Sequence, residues 1–200
     1  MSQIKLLHSG GNGVSIVAPD SNPASDRILK LPSDGDGTIL TTNSSVGKIL
    51  QVVSATKTDT FTSTSAAFAQ ITGLSINITP TASTSKILVY FSVDASNTNS
   101  GATSCRVAVF KDGSNYLGSN ISNRVRGWQL ANYGDNNTGE HIGFQFLDNN
   151  DAGSTSQITY DCRIASQGST STINRSGSDI DNADYGYRSA STITAMEVAA

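Results

Sequence analysis

The stretch Ser156–Ile164 reads SQITYDCRI, and its apolar residues fall on every second position. Ile158, Tyr160, Cys162 and Ile164 alternate with Gln157, Thr159, Asp161 and Arg163. A period of two puts one set of side chains on each face of an extended chain. A helix would instead group apolar residues three and four apart. The stretch therefore predicts a strand with one buried face, and so a partner layer to bury it against.

The same reading extends outward. GLSINITP (73–80) sets Leu74, Ile76 and Ile78 against Ser75, Asn77 and Thr79. SCRVAVFKDG (104–113) sets Cys105, Val107 and Val109 on one face and ends in a Lys-Asp-Gly turn. EHIGFQFLDNNDAGS (140–154) carries Ile142, Phe144 and Phe146 inward before a turn-rich loop, and GKILQVVSA (47–55) and STITAMEVA (191–199) are further strands. SKILVYFSV (85–93) is apolar on both faces, which predicts a central strand covered on both sides. No window sustains a 3.6-residue apolar period. Roughly eight to ten strands with closely spaced turn signals predict an all-β sandwich or jelly roll.

Composition bounds what such a fold can do. Of 200 residues, 36% are hydrophobic and 14% charged, and the chain is rich in Ser, Thr, Asn and Gly. A lone chain with so few apolar residues buries a thin core, and oligomerisation supplies missing burial. The formal net charge of −3 leaves no electrostatic footprint for nucleic acid, and only Arg124 and Arg126 stand close together. MSQIKLLHSGGNG (1–13) lacks the apolar run of a signal peptide, and no stretch is long enough for membrane insertion as a helix. Cys105 and Cys162 both lie at apolar strand positions and read as buried free thiols, with a single bridge between them as the alternative.

Before Ser45 the pattern differs: short apolar pieces alternate with turn clusters. DRILKLPSDGDGTILTT (26–42) poses a choice between a calcium loop and a hairpin. Counted from Asp34, the third position is Asp36, but the sixth is Ile39 where glycine is required and the twelfth is Ser45 instead of Glu. The ligand set fails. Asp-Gly pairs between apolar runs are hairpin chemistry, and Pro32 belongs at a strand end or edge. The chain thus divides into an arm with short strands, residues 1–45, and a sandwich head, residues 46–200. A lone hairpin is marginal in water, so the 26–42 segment is expected to pair its strands between chains or with a neighbouring protein.

Two stretches carry a resemblance. SIVAPDSNPASDRILKLPSDGDGTILTT (15–42) resembles a segment of bacteriophage tail fibres and related virion proteins, with Ala18, Pro19, Asp26, Arg27, Leu29, Leu31, Pro32, Asp36, Gly37, Thr38 and Leu40 in matching places. GKILQVVSATKTDTFTSTSAAFAQITGLSINITPTASTSKILV (47–89) and INRSGSDIDNADYGYRSASTITAMEVA (173–199) resemble globular heads of structural proteins from phages of aquatic bacteria and cyanobacteria. The resemblance implies a homotrimeric jelly roll, tumour-necrosis-factor-like in shape, behind an attachment arm in which Arg27, Leu29, Leu31, Pro32, Asp36 and Gly37 meet other virion proteins. It implies a location on the outer surface of a virion, on a tail appendage or the capsid, after assembly in the bacterial host cytoplasm. Two roles follow: a tail-fibre or receptor-binding tip for host attachment, contacting host surface polysaccharide, or a capsid-decorating, cement or head-fibre protein.

An enzyme is not expected. His8 and His141 share no zinc spacing, and neither a G-x-S-x-G elbow nor a phosphate-binding glycine loop is present. Asp148 with Asp151, and Asp179 with Asp181, have the makings of a glycosidase pair, as a phage depolymerase would need, yet LDNNDAGS (147–154) and SGSDIDNAD (176–184) read as turns. No cofactor and no metal are expected. Binding is the open chemistry. Trp128, the only tryptophan, lies in SNRVRGWQLANYGDNNTGEH (122–141). Aromatic rings stack on sugar faces, so Trp128 and Tyr133, with Arg124 and Arg126 as hydrogen-bond donors, form a candidate glycan site. The competing reading packs Trp128 into the core or a trimer seam.

Overall fold

The computed structural model describes residues 3–7, 9–11, 13–17, 49–99, 103–118, 122–132, 136–150 and 153–199. The chain separates into two compact units, Met1–Ser44 and Ser45–Ala200. In the first, strands β1 (Gln3–Leu7) and β2 (Gly13–Val17) form an antiparallel hairpin. The arm residues Arg27, Leu29, Leu31, Pro32, Asp36 and Gly37 lie outside the described residues, as do the whole of the 26–42 hairpin reading and His8.

The second unit is all β, with no helix among the described residues. Its strands are β3 (Ile49–Lys57), β4 (Phe61–Ser63), β5 (Ala69–Ile78), β6 (Lys86–Asn97), β7 (Thr103–Lys111), β8 (Ser114–Asn115), β9 (Trp128–Asn132), β10 (Glu140–Asp148), β11 (Ile158–Gln167), β12 (Ser171–Ile173) and β13 (Ser191–Val198). Sheet one runs β3-β13-β6-β10, with β12 and β4 continuing the β13 and β3 side along the far end of β6. Sheet two runs β5-β11-β7, with β9 and the short β8 both paired to β7. From β5 onward the chain crosses between sheets at nearly every connection: β6, β10 and β13 in one, β5, β7, β9 and β11 in the other. The four main strands of each sheet, β3-β13-β6-β10 and β5-β11-β7-β9, wound in this order are a jelly roll.

The alternation read from SQITYDCRI sets the core. Ile158, Tyr160, Cys162 and Ile164 face Ile87, Val89, Phe91 and Val93 of β6, with Leu74, Ile76 and Ile78 of β5 and Cys105, Val107 and Val109 of β7 beside them, all buried. Strand β5 keeps two registers of alternation through a bulge. Ser75 pairs with Asp161 but Gln70 with Arg163, so β5 spends extra residues between them. Gly73, at φ +88, supplies the backbone turn there. Ile71 and Leu74 both end up at 0% exposure as a result.

The two outer faces differ. On sheet two, Ala108, Phe110, Asp161 and Ala165 are buried from outside. The 64–68 segment folds over them: Ser166 N donates to Ser65 O at 2.7 Å, and Phe68 meets Phe110 edge-on at 5.6 Å between centroids. Arg163 lies 4.1 Å over the Phe110 ring and bonds Asp161. On sheet one the 174–190 segment reaches the Asp94 end through Tyr187, and the rows through Tyr90 and Leu88 have no such cover among the described residues. Strand β6 is central by pairing, as SKILVYFSV predicts, but only one of its faces is closed within the chain: Tyr90 is 40% exposed on the other.

Both cysteines are free and buried. Burial pushes the Cys105 thiol up to about 12 and raises Cys162 as well, which keeps both in the unreactive protonated form. Thiol reagent applied to the native protein should therefore titrate neither residue, and should titrate both after denaturation; reducing agent should leave the melting temperature unchanged. Ile164→Ala, which empties a fully buried site between the sheets, should cost about 2–5 kcal/mol in urea unfolding.

Candidate functional site

The solvent face of sheet one can be read row by row from the strand register. Val52 pairs with Met196, Met196 with Leu88, and Leu88 with Leu147, so four apolar side chains cross all four strands in line. Val52 and Leu147 are 55% and 46% exposed. The neighbouring row adds Ile49 beside Val198, next to Leu50 at the bulge where β13 shifts register against β3. The next row in the other direction is Ser54, Thr194, Tyr90 and Gln145, and the one beyond is Thr56, Thr192, Ser92 and Gly143. Ser54 and Thr194 hydroxyls bond each other at 2.7 Å, and Ser92 Oγ and His141 Nε2 lie 3.3 Å apart. The face thus grades from apolar at the Ile49 and Leu147 end to hydroxyl-rich at the Thr192 and His141 end. Contiguous exposed apolar rows on an otherwise polar protein mark an interaction surface.

Beneath the apolar end lie two buried carboxylates, on either side of Ile87. Asp148, the last residue of β10, is 1% exposed. It takes an ion pair from Lys111 of β7 at 2.5 Å and hydrogen bonds from Tyr116 Oη at 2.9 Å, Asn150 N at 2.9 Å and Tyr160 Oη. The knot ties sheet one to sheet two. LDNNDAGS reads as turn chemistry in sequence; Asp148 is instead a buried strand residue, and its fellow Asp151 lies outside the described residues. Glu197 of β13, at 0% exposure, accepts from Gln51 Nε2 at 2.6 Å and from Thr81 N and Oγ1 at 2.7 Å each. Burial alone would raise both carboxyls. The Lys111 and Tyr160 bonds for Asp148, and the Gln51 and Thr81 bonds for Glu197, outweigh it and hold both below their usual range. The opposite end of the sheet holds Asp94, whose carboxyl burial raises despite the hydrogen bond from Tyr187.

Trp128 opens β9, half-buried, with its ring centroid 5.0 Å from Phe91 and 4.9 Å from Phe144. Phe144, expected inward, does contact both rings, but at the edge of the sandwich it stays 43% exposed. Arg124 is exposed; Arg126 is half-buried, and its carbonyl accepts a 2.8 Å bond from Asn115. Tyr133 lies outside the described residues. Among the described residues no group of three His, Cys, Asp or Glu side chains is placed to hold a metal ion, and no helix is long and apolar enough to cross a membrane.

No protein-family model matches the sequence, and no curated protein matches it. Solved structures overlay on it at low similarity. The infectious bursal disease virus VP2 subviral particle gives 17% identity and a TM-score of 0.39, covering 94% of this chain and 42% of that one. The T=1 particles derived from the same virus give 18% identity and 0.38, covering 95% and 46%. The chain spans less than half the length of those proteins. At these scores the overlays add nothing to the strand order, which defines the jelly roll by itself.

The signs of the carboxyl shifts set an acid dependence. A folded-state pKa below the unfolded value stabilises above the unfolded value, about 3.9 for Asp and 4.3 for Glu, and that stability is lost as pH falls through the folded pKa. The melting temperature should hold between neutral pH and about 5 and drop steeply below about 4. Asp148→Asn should lower stability at neutral pH and flatten that acid limb, and Lys111→Ala, which strands a buried carboxylate, should cost about 3–5 kcal/mol at neutral pH.

Proposed function

We propose that the chain is a non-enzymatic structural protein of a virus particle, and that its head assembles as a homotrimer through the solvent face of sheet one. The observation that carries the reading is the row Val52–Met196–Leu88–Leu147, exposed at Val52 and Leu147 and half-buried at Met196 and Leu88, while the other sheet's outer face is covered by its own chain. A second and third copy would bury that row and supply the burial that 36% apolar residues leave short. The virion reading is supported by the resemblance of residues 15–42 and 47–89 to phage fibre and head proteins. In it, residues 1–45 join the head to other virion proteins, and the head serves as a tail-fibre or receptor-binding tip for host attachment.

Light scattering at micromolar concentration should give three times the 20.8 kDa chain mass. The double change Val52→Glu and Met196→Glu should give a folded monomer, because neither side chain belongs to the core between the sheets. A single species of chain mass in the unaltered protein would refute the trimer. Gold-labelled antibody against the head, imaged on whole particles, should decorate tail appendages; label spread over the capsid would make it a decorating protein instead.

A further inference from the structure

The 174–190 loop between β12 and β13 meets the sheet-one face at its hydroxyl-rich end, through Tyr187 on Asp94, yet it is held more firmly than a connection requires. Its neck is closed by the Arg175–Arg188 backbone bridge and by Ser189 N donating to Asn174 O at 3.2 Å. Asn174, buried at φ +61, donates to the carbonyls of Lys57 and Asp59 at 2.8 and 3.0 Å and accepts from Ser191 Oγ at 2.6 Å. Further out, Ser178 N donates to Asn136 O at 2.8 Å, and Tyr187 Oη to Asp94 Oδ1 at 2.8 Å. Gly139 lies against that phenol so closely that a Cβ there would sit 1.6 Å from the Tyr187 oxygen. Asp179, in the left-handed region at φ +52, has its carboxylate between Arg175, at 3.5 Å, and Arg188.

These ties leave a cleft of about 480 Å³, lined chiefly by Asp179, Ile180, Asp181, Asn182, Tyr187 and Arg188. Ile180 is 47% exposed beside it. The lining selects a ligand class. Two carboxylates against one guanidinium, itself already paired with Asp179, give no reason for an anion to bind. The absence of a metal-holding group among the described residues argues against a metal cation, and Arg188 in the lining against an organic one. An apolar ligand would strand the charged lining without partners. Hydroxyl groups both donate and accept, so they suit carboxylate, amide and guanidinium alike, and the C–H face of a sugar ring suits Ile180 and the fixed Tyr187 ring. The volume lies within the usual range for small-molecule sites, roughly 300–1,000 Å³.

We propose that this cleft is a binding site for a neutral oligosaccharide, with Asp181 and Asn182 bonding its hydroxyls and Tyr187 forming a preset aromatic wall. The proposal rests on the attachment reading of the head, but its test needs no particle. The full-length protein is applied to an array of neutral mono- to tetrasaccharides built from hexoses and N-acetylhexosamines, and hits are titrated by calorimetry. At least one should bind in the micromolar to millimolar range. Asp181→Ala, at an exposed loop tip, should weaken it about tenfold or more while the melting temperature holds, as loss of a hydrogen bond to a charged group implies. Lys86→Ala, at the opposite end of sheet one, should change nothing. No binding across the array, or binding that Asp181→Ala leaves intact, overturns the cleft; binding of the latter kind would move the site to the Trp128 region. Antibody label on the capsid together with Asp181-dependent sugar binding would instead overturn the tip and keep the cleft.

Discussion

Strand β6 is the constraint on which the rest of the structure depends. It is twelve residues long and paired along both edges, with β10 on one side and β13 followed by β12 on the other. Its inward residues Ile87, Val89, Phe91 and Val93 supply the apolar floor that sheet two closes over. Its outward residues Leu88 and Tyr90 set the middle of the open face. Every strand of sheet one takes its register from β6, directly or through one neighbour. A one-residue slip would exchange the two sets and put the core outside.

Polar anchoring ties the two sheets together at both ends of the apolar core. The Asp148 knot spans both sheets at one end, and Asn174 with Ser191 and Asp94 ties the other end through backbone groups. Such networks stabilise only when each member is partnered, because a buried charge that loses its partner keeps its desolvation cost. The groups that set stability and the surfaces proposed for assembly and binding are thereby separate. The carboxylates that bear the acid response face inward between the sheets, while the apolar row and the loop cleft lie on opposite ends of the outside. The β13 strand runs from the loop end at Ser191 to the apolar end at Val198.

What the sequence determined was whatever depends on local alternation. SQITYDCRI, GLSINITP and SCRVAVFKDG predicted which side chains would face the core, but only in GLSINITP does burial itself keep the period of two; on β11 and β7, Asp161, Ala108 and Phe110 are buried from the other face as well. The class follows from that alone, because half-buried strands without helices must pack sheet on sheet. The burial of Cys105 and Cys162 was also legible, since both occupy inward positions of such strands; that they are free and not bridged is read from the structure.

Tertiary structure decided what depends on partners distant in sequence. Asp148 looked like a turn residue because its neighbours are Asn, Asp and Gly; Lys111, Tyr116 and Tyr160, which make it a buried ion-paired carboxylate, arrive from other strands. Glu197 gave no signal, for Gln51 and Thr81 lie far away in the chain. Trp128 stood out as a lone aromatic, but its place against Phe91 and Phe144 was set by β9 pairing with β7 across from β10. SKILVYFSV promised two covered faces, and only the strand order shows that the chain covers one. Pattern fixes which face a side chain takes. It does not fix what stands opposite, because that is set by how the two sheets are wound together.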